Sequence, residues 1–239
     1  LWLISGLAAD RPLHPMNRTP LYETHRAAGA KLVDFAGWDM PIQYASVVEE
    51  YQTVRNKAGL FDVSHMGRLY LSGRDSGPFL QRLTTNDVAK LAVGQAHYSM
   101  MCREDGGILD DVFVYRTGET DFLLCVNASN REKIVQWTQQ HHRPTDRCTI
   151  EDRSLAVAQI ALQGPASRTV LACLCTKDIG ALKLHCSYED QIAGIPCFVA
   201  RTGYTGELGF ELNTPSERAA DLWHSLMEAG KDHGVTPAG

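Results

Sequence analysis

The chain has 239 residues, 44% of them hydrophobic and 21% charged, enough for one large domain or two modest ones around a sizeable core. That composition excludes a globally disordered chain. The net charge of -5, with acids and bases mixed along the sequence, excludes a binder of the nucleic-acid backbone, which needs a basic face. The 7 cysteines are odd in number, irregularly spaced and without a C-x-x-C pair, so neither a disulfide framework nor a zinc site is expected. Most sit in apolar runs such as Leu123-Leu124-Cys125-Val126, where a thiol acts as a small hydrophobe. Free thiols imply a reducing compartment, the cytoplasm or, in a eukaryote, the mitochondrial matrix. No stretch approaches the roughly 20 apolar residues of a membrane helix.

In chain order, residues 1–15 are expected to be a tail or a mis-assigned start. Leu1 to Ala9 is apolar without a preceding basic residue, and Met16 stands just before the first orderly segment. The folded domain is therefore expected over 16–239. Ser46 and Glu49 form a capping box ahead of Val47, Tyr51, Val54 and Ala58, which read as one buried stripe of a helix stopped by Gly59. Further helices are predicted over Ser76–Leu83 and from Asn127 to about Gln140. A last helix is capped by Thr214, with Pro215 and Glu217 in its first turn. Its buried face is Ala219, Leu222, Trp223, Leu226 and Met227, and Gly230 ends it.

Strands are predicted at Gly67–Ser72, His97–Arg103, Ile108–Arg116, Asp121–Asn127, Leu155–Leu162, Ile195–Thr202 and Leu208–Asn213. The turn signals Asp105-Gly106-Gly107 and Gly118-Glu119-Thr120 join consecutive strands, which predicts an antiparallel meander and an α+β fold rather than a doubly wound parallel sheet. No internal repeat is visible in the sequence. Pro144-Thr145-Asp146-Arg147 offers the best subdomain boundary, near 144–150, and Gly234 to Gly239 reads as a turn with no terminal strand.

Three segments carry candidate chemistry. Asp110 and Asp111 lie mid-strand in Ile108–Tyr115 with apolar residues on both faces. Successive strand side chains point to opposite faces, so the two acids do not converge on one atom, and a glycosidase-like pair is disfavoured. The pattern leaves open which acid matters; one paired with a base and the other solvated is the plain structural reading. In Thr202-Gly203-Tyr204-Thr205-Gly206-Glu207-Leu208-Gly209-Phe210-Glu211 the glycines join strand to strand, so they mark close backbone approach or a tight hairpin rather than a phosphate cradle. Leu208, Phe210 and Leu212 share a face and Glu211 lies opposite, where base rates favour solvent. Phe61-Asp62-Val63-Ser64-His65-Met66 has no nucleophile elbow, and His65 reads as a satisfied structural histidine. His141 and His142 read as exposed, and Phe35-Ala36-Gly37-Trp38 as an aromatic turn in the core.

Six segments in register carry a resemblance: Arg18-Thr19-Pro20-Leu21-Tyr22, Phe35-Ala36-Gly37-Trp38-Asp39-Met40-Pro41, Phe61 to Met66, Gly106-Gly107-Ile108-Leu109-Asp110-Asp111, Leu162-Gln163-Gly164-Pro165 and Gly203-Tyr204-Thr205-Gly206-Glu207. From about Asn17 to Gly239 the chain resembles the aminomethyltransferase family, the T proteins of the glycine cleavage system. That resemblance implies subdomains around a central hole that holds tetrahydrofolate. It implies transfer of the methylene of an aminomethyl group from lipoylated H protein to tetrahydrofolate, with release of ammonia and no metal. It assigns Asp111 as the catalytic carboxylate and Tyr98, Tyr204 and Glu211 to folate binding. It also implies that the family's arginine-bearing helix and third, β-rich subdomain lie past Gly239, outside this chain. Two alternatives are a related folate-dependent demethylase or dehydrogenase portion, and a non-catalytic folate-binding module. Modules of the latter kind carry a Lys-Gly-Cys-Tyr-type motif; Thr202-Gly203-Tyr204-Thr205 here favours the enzyme.

Overall fold

The computed structural model describes residues 16–239; the tail expected at 1–15 lies outside the described residues. The architecture is α+β. A leading segment comprises α1 (Tyr22–Ala27), the hairpin β1 (Lys31–Phe35) and β2 (Trp38–Gln43), α2 (Val47–Asn56) and β3 (Ala58–Asp62). Two similar halves follow. The first is β4 (Gly67–Ser72), α3 (Ser76–Leu83), β5 (Ala96–Cys102), β6 (Ile108–Arg116), β7 (Asp121–Val126), α4 (Arg131–His141) and β8 (Thr149–Asp152). The second is β9 (Val157–Gln163), α5 (Ser167–Ala172), β10 (Ser187–Ile192), β11 (Ile195–Ala200), β12 (Gly209–Pro215), α6 (Ala219–Gly230) and β13 (Val235–Pro237).

The sheet orders, β5-β6-β7-β4-β8 and β10-β11-β12-β9-β3-β13, are the same apart from β3, which is inserted between β9 and β13. The expected absence of a repeat is thus corrected. Over the first part of each half, equivalent positions recur at one constant spacing. Gly73 and Gly164 both take positive φ. Asp87 and Asp178 each accept from the backbone N–H two residues on. Ala96 donates to the His185 carbonyl at 2.8 Å and Ser187 to the Gly94 carbonyl at 2.7 Å, stitching the halves together symmetrically. Side-chain identity has diverged while the backbone bonds persist, so the duplication is structural rather than textual.

Alternation explains the layering. In the first sheet Leu69, Leu71, Val112, Val114, Leu124 and Val126 face α3 and α4. In the second, Ile160, Leu162, Val199, Phe210 and Leu212 face α5 and α6. The opposite faces meet each other through Ala96, Tyr115, Leu123, Phe198 and Ala200. Both faces of each sheet are covered. The inner layer also carries buried polar side chains, among them Arg68, Gln159, Gln163, Glu211 and Asn213.

Several sequence expectations are corrected. The capped helix, α2, ends at Asn56, with Ala58 and Gly59 already in β3; of the predicted stripe Val47 and Tyr51 are exposed, Val54 is buried, and Ala58 is buried as part of the strand. Gly59 is needed because a side chain there would meet Val54 Cγ2 at 2.6 Å, not because it stops a helix. Thr214 and Pro215 finish β12, where the Thr214 hydroxyl donates to the Pro196 carbonyl; α6 starts at Ala219 after a short 3-10 turn. The terminal segment is not a bare turn, since β13 pairs in parallel with β3. Residues 144–150 lie before and within β8, which still belongs to the first sheet; the chain crosses between sheets after Asp152 and before Val157.

The leading segment is fastened by a buried chain of polar groups. Tyr44 Oη lies 2.7 Å from His25 Nδ1, and His25 Nε2 donates to Asp62 Oδ2 at 2.9 Å. Burial alone would push the Asp62 carboxyl up, but the hydrogen bond and charge of His25, with hydrogen bonds from the Ser64 and Thr19 side chains, hold it below the usual carboxylate range. Its stabilising contribution is therefore complete above the unfolded value near pH 4 and is lost as pH falls further. Asp62→Asn is expected to lower stability by about 1.5–2 kcal/mol at neutral pH. It should also flatten the acid limb of a urea-denaturation series taken down to about pH 3. An unchanged acid limb would refute this reading of the pair.

Candidate functional site

Between the two sheets lies a cavity of about 670 Å3. Its walls come from β6 (Asp111, Phe113, Tyr115), β7 (Cys125), the loop after β7 (Asn127 to Asn130), β12 (Glu211), the 202–204 loop, the tip of the β1–β2 hairpin (Phe35, Ala36) and the loop after β3 (Val63, His65, Met66). Three of the four predicted residues, Asp111, Tyr204 and Glu211, line it. Tyr98 does not. It stands 47% exposed on β5, opposite Phe113 in the ladder and so diagonal to Asp111 on the same face. Desolvation and the neighbouring Asp111 raise its phenol above the usual value.

The two adjacent acids separate as their alternation requires. Asp111 faces the cavity, whereas Asp110 is 2% exposed and turned into the first sheet. Among the described residues no base pairs with Asp110, contrary to the plain structural expectation. It accepts from the Asn127 backbone N–H and the Asn127 side-chain amide, each at 2.9 Å, and from Asn130 Nδ2. Lys133 Nζ holds Asn130 Oδ1 at 2.8 Å, so the Asn130 nitrogen is the end that faces Asp110. Asn127 Nδ2 also reaches Asp111 Oδ1 at 2.9 Å. Asp110 thus fixes Asn127, and Asn127 fixes Asp111. The sequence carried no signal for either asparagine beyond their position after a strand.

Glu211 overturns the expectation of a solvated face. It is 6% exposed because the first sheet covers it. Burial pushes its carboxyl above the usual range, opposed by hydrogen bonds from Thr202, Gln159 and Tyr115. The Thr202 hydroxyl donates to Glu211 Oε2, and Tyr115 Oη approaches the same oxygen at 3.5 Å. Cys125, in the same wall, is pushed up to about 12 by burial, so it is an uncharged packing residue rather than a nucleophile.

Tyr204 is 73% exposed overall, though its phenol end is desolvated and raised above the usual value. Its loop is braced by Gln163. Gln163 Nε2 donates to the Thr202 carbonyl at 3.0 Å, and the Thr205 hydroxyl donates to Gln163 Oε1 at 2.9 Å. A Cβ at either Gly203 or Gly209 would lie 2.2 Å from Gln163 Oε1, which bears out the expected close approach and joins two sequence motifs in one contact. The aromatic turn divides: Trp38 is core, while Phe35 is exposed and lines the cavity. His141 and His142 are half-buried rather than exposed, bonded to the Trp137 and Cys148 carbonyls. Among the described residues no cluster of three His, Cys, Asp or Glu could hold a metal, and no helix is long and apolar enough to cross a membrane.

The site is that of an α+β protein with a cavity between duplicated sheets, an anchored carboxylate on one wall and a buried carboxylate on the other. Comparison with known proteins gives the family. The GCVT N-terminal domain matches residues 21–239, and the chain belongs to that family. It is 48% identical over 224 residues to an aminomethyltransferase of Desulfitobacterium hafniense (strain DSM 10664 / DCB-2), covering 94% of this chain and 61% of the relative. It is 45% identical over 229 residues to one from Caldanaerobacter subterraneus subsp. tengcongensis, covering 95% and 61%. The chain therefore spans about three fifths of the length of these relatives. The crystal structure of glycine cleavage system aminomethyltransferase T from Bartonella henselae superposes with a TM-score of 0.85 at 35% identity, over 94% of this chain and 60% of that one. A heterotetrameric sarcosine oxidase of Corynebacterium sp. U-96, at 17% identity and TM-score 0.63, shares the fold.

Proposed function

We propose that the cavity binds tetrahydrofolate and that the chain forms the folate-binding part of an aminomethyltransferase. In this reaction the methylene of an aminomethyl group passes from the lipoyl arm of H protein to the folate, with release of ammonia. The observation that carries this reading is the placement of Asp111 and Glu211 on facing walls of one cavity, each held by neutral donors.

The geometry suits the chemistry. As ammonia leaves, the carbon still bound to the lipoyl sulfur becomes cationic and one folate nitrogen bonds to it. The second folate nitrogen then displaces the lipoyl thiol to complete the methylene bridge, and the two amine protons leave on ammonia and on the reduced lipoyl arm. A carboxylate fixed by Asn127 stabilises that positive charge without reorganising. The amine is already a nucleophile and needs no metal to activate it. Glu211 offers paired acceptor oxygens to the amino-pyrimidine edge of a pterin, and Tyr204 supplies a ring face with a polar tip. Resemblance to the named aminomethyltransferases supports this reading over a folate-dependent demethylase or a non-catalytic module, and a soluble protein in a reducing compartment is consistent with it.

The test is calorimetric titration with tetrahydrofolate, followed by assay of tetrahydrofolate-dependent ammonia release from aminomethyl-loaded H protein. Saturable one-to-one binding is expected. Absence of any saturable binding would remove the proposal.

A further inference from the structure

We infer that His65 presents its Nε2–H to an oxygen acceptor of the folate in this cavity, a role that rests on the folate reading above. The ring lines the cavity from the loop after β3, edge-on to Phe35 with centroids 5.4 Å apart. Its Nδ1 is shut away from solvent with no hydrogen-bond partner among the described residues. Other buried or half-buried histidines show what a structural role looks like. His25 has both ring nitrogens bonded, and His141 and His142 each hold a backbone carbonyl. His97 Nε2 is also buried and unpartnered, but His97 is not part of the cavity wall.

The tautomer follows from the cost of an orphaned donor. A buried N–H with no acceptor is rarer and more costly than a bare acceptor, so the single proton of a neutral ring belongs on Nε2 rather than on enclosed Nδ1. The ring is neutral at physiological pH, because burial lowers its basicity; Asp62 opposes this and Arg68 reinforces it. Enclosure of Nδ1 leaves the Nε2 edge for the cavity, whose two carboxylates, Asp111 and Glu211, serve donors on the ligand. His65 supplies the complementary element, a donor for an oxygen. A pterin ring carbonyl and the benzoyl-glutamate tail both offer such an oxygen.

The tautomer and the contact are testable separately on the 239-residue chain. Long-range 1H–15N correlation of the His65 imidazole is expected to show the Nε2–H form without ligand and a shift of Nε2 on adding tetrahydrofolate. Calorimetry should give a three- to tenfold loss of affinity for His65→Phe, about the worth of one neutral hydrogen bond. His65→Gln, whose amide nitrogen can occupy the Nε2 position, should stay within about twofold of the parent chain. Parallel titration with 6-methyltetrahydropterin locates the acceptor. Loss for both ligands supports the ring carbonyl, and loss for tetrahydrofolate alone supports the tail. An Nδ1–H tautomer, or His65→Phe binding both ligands as tightly as the parent chain, overturns the inference while leaving the folate reading intact. Failure of the unsubstituted chain to bind tetrahydrofolate overturns both.

Discussion

Replacing Asp111 with Asn is expected to lower the tetrahydrofolate-dependent transfer rate by roughly 100- to 1,000-fold, the scale seen when one preorganised electrostatic contact to a developing charge is removed. The substitution keeps shape and volume, and Asn127 still finds the side-chain oxygen at the same place. Asp111 is only partly buried, so unfolding midpoints should move little. The control is Asp110→Asn. Asp110 holds Asn127 and Asn130 rather than facing the cavity, so its loss should act through stability and through a looser Asp111. The ranking follows: Asp111→Asn impairs turnover more, Asp110→Asn impairs folding more. Near-parental turnover in Asp111→Asn would show that the positive charge is stabilised elsewhere.

Glu211→Gln should weaken tetrahydrofolate binding by roughly 30-fold to several hundred-fold, because one member of a buried, charge-assisted pair is lost. The pH dependence gives a sharper signature. Burial raises the Glu211 carboxyl, so the unliganded chain favours the protonated acid to higher pH than a free glutamate does. Donors on the ligand favour the carboxylate, so binding expels the proton and affinity rises with pH through the raised value. As pH is lowered through the raised Glu211 value, titrations should therefore show affinity falling in the parent chain and flat in Glu211→Gln. The same sign analysis makes Glu211 destabilising to the free fold as pH rises, the reverse of Asp62. Equal pH dependence in parent and variant would remove Glu211 from the pterin contact.

Much of the fold was legible because it depends on short-range rules. The meander of β5, β6 and β7 follows from period-two alternation broken by Asp-Gly-Gly and Gly-Glu-Thr turns. The limits of α3 and the buried face of α6 follow from the 3.6-residue period. Even the opposite facing of Asp110 and Asp111, and of Phe210 and Glu211, was readable from pleat geometry. Other elements were not. The β1–β2 hairpin, β3, β8, β10 and the short helices α1 and α5 carry weak local patterns; β3, although interior to its sheet, and β8 are held by pairing with strands far along the chain.

What the sequence determined, then, was which side chains alternate, not what covers each face. Alternation says that Asp110 and Asp111 part company; only the packing of one sheet on helices and on its twin decides that Asp111 looks into the cavity. The same packing buries Glu211, which base rates would have left in water, and brings Gln163 against Gly203 and Gly209. The physical reason is that strand period is a property of neighbouring residues, whereas burial of a polar face depends on a second layer supplied by residues far along the chain.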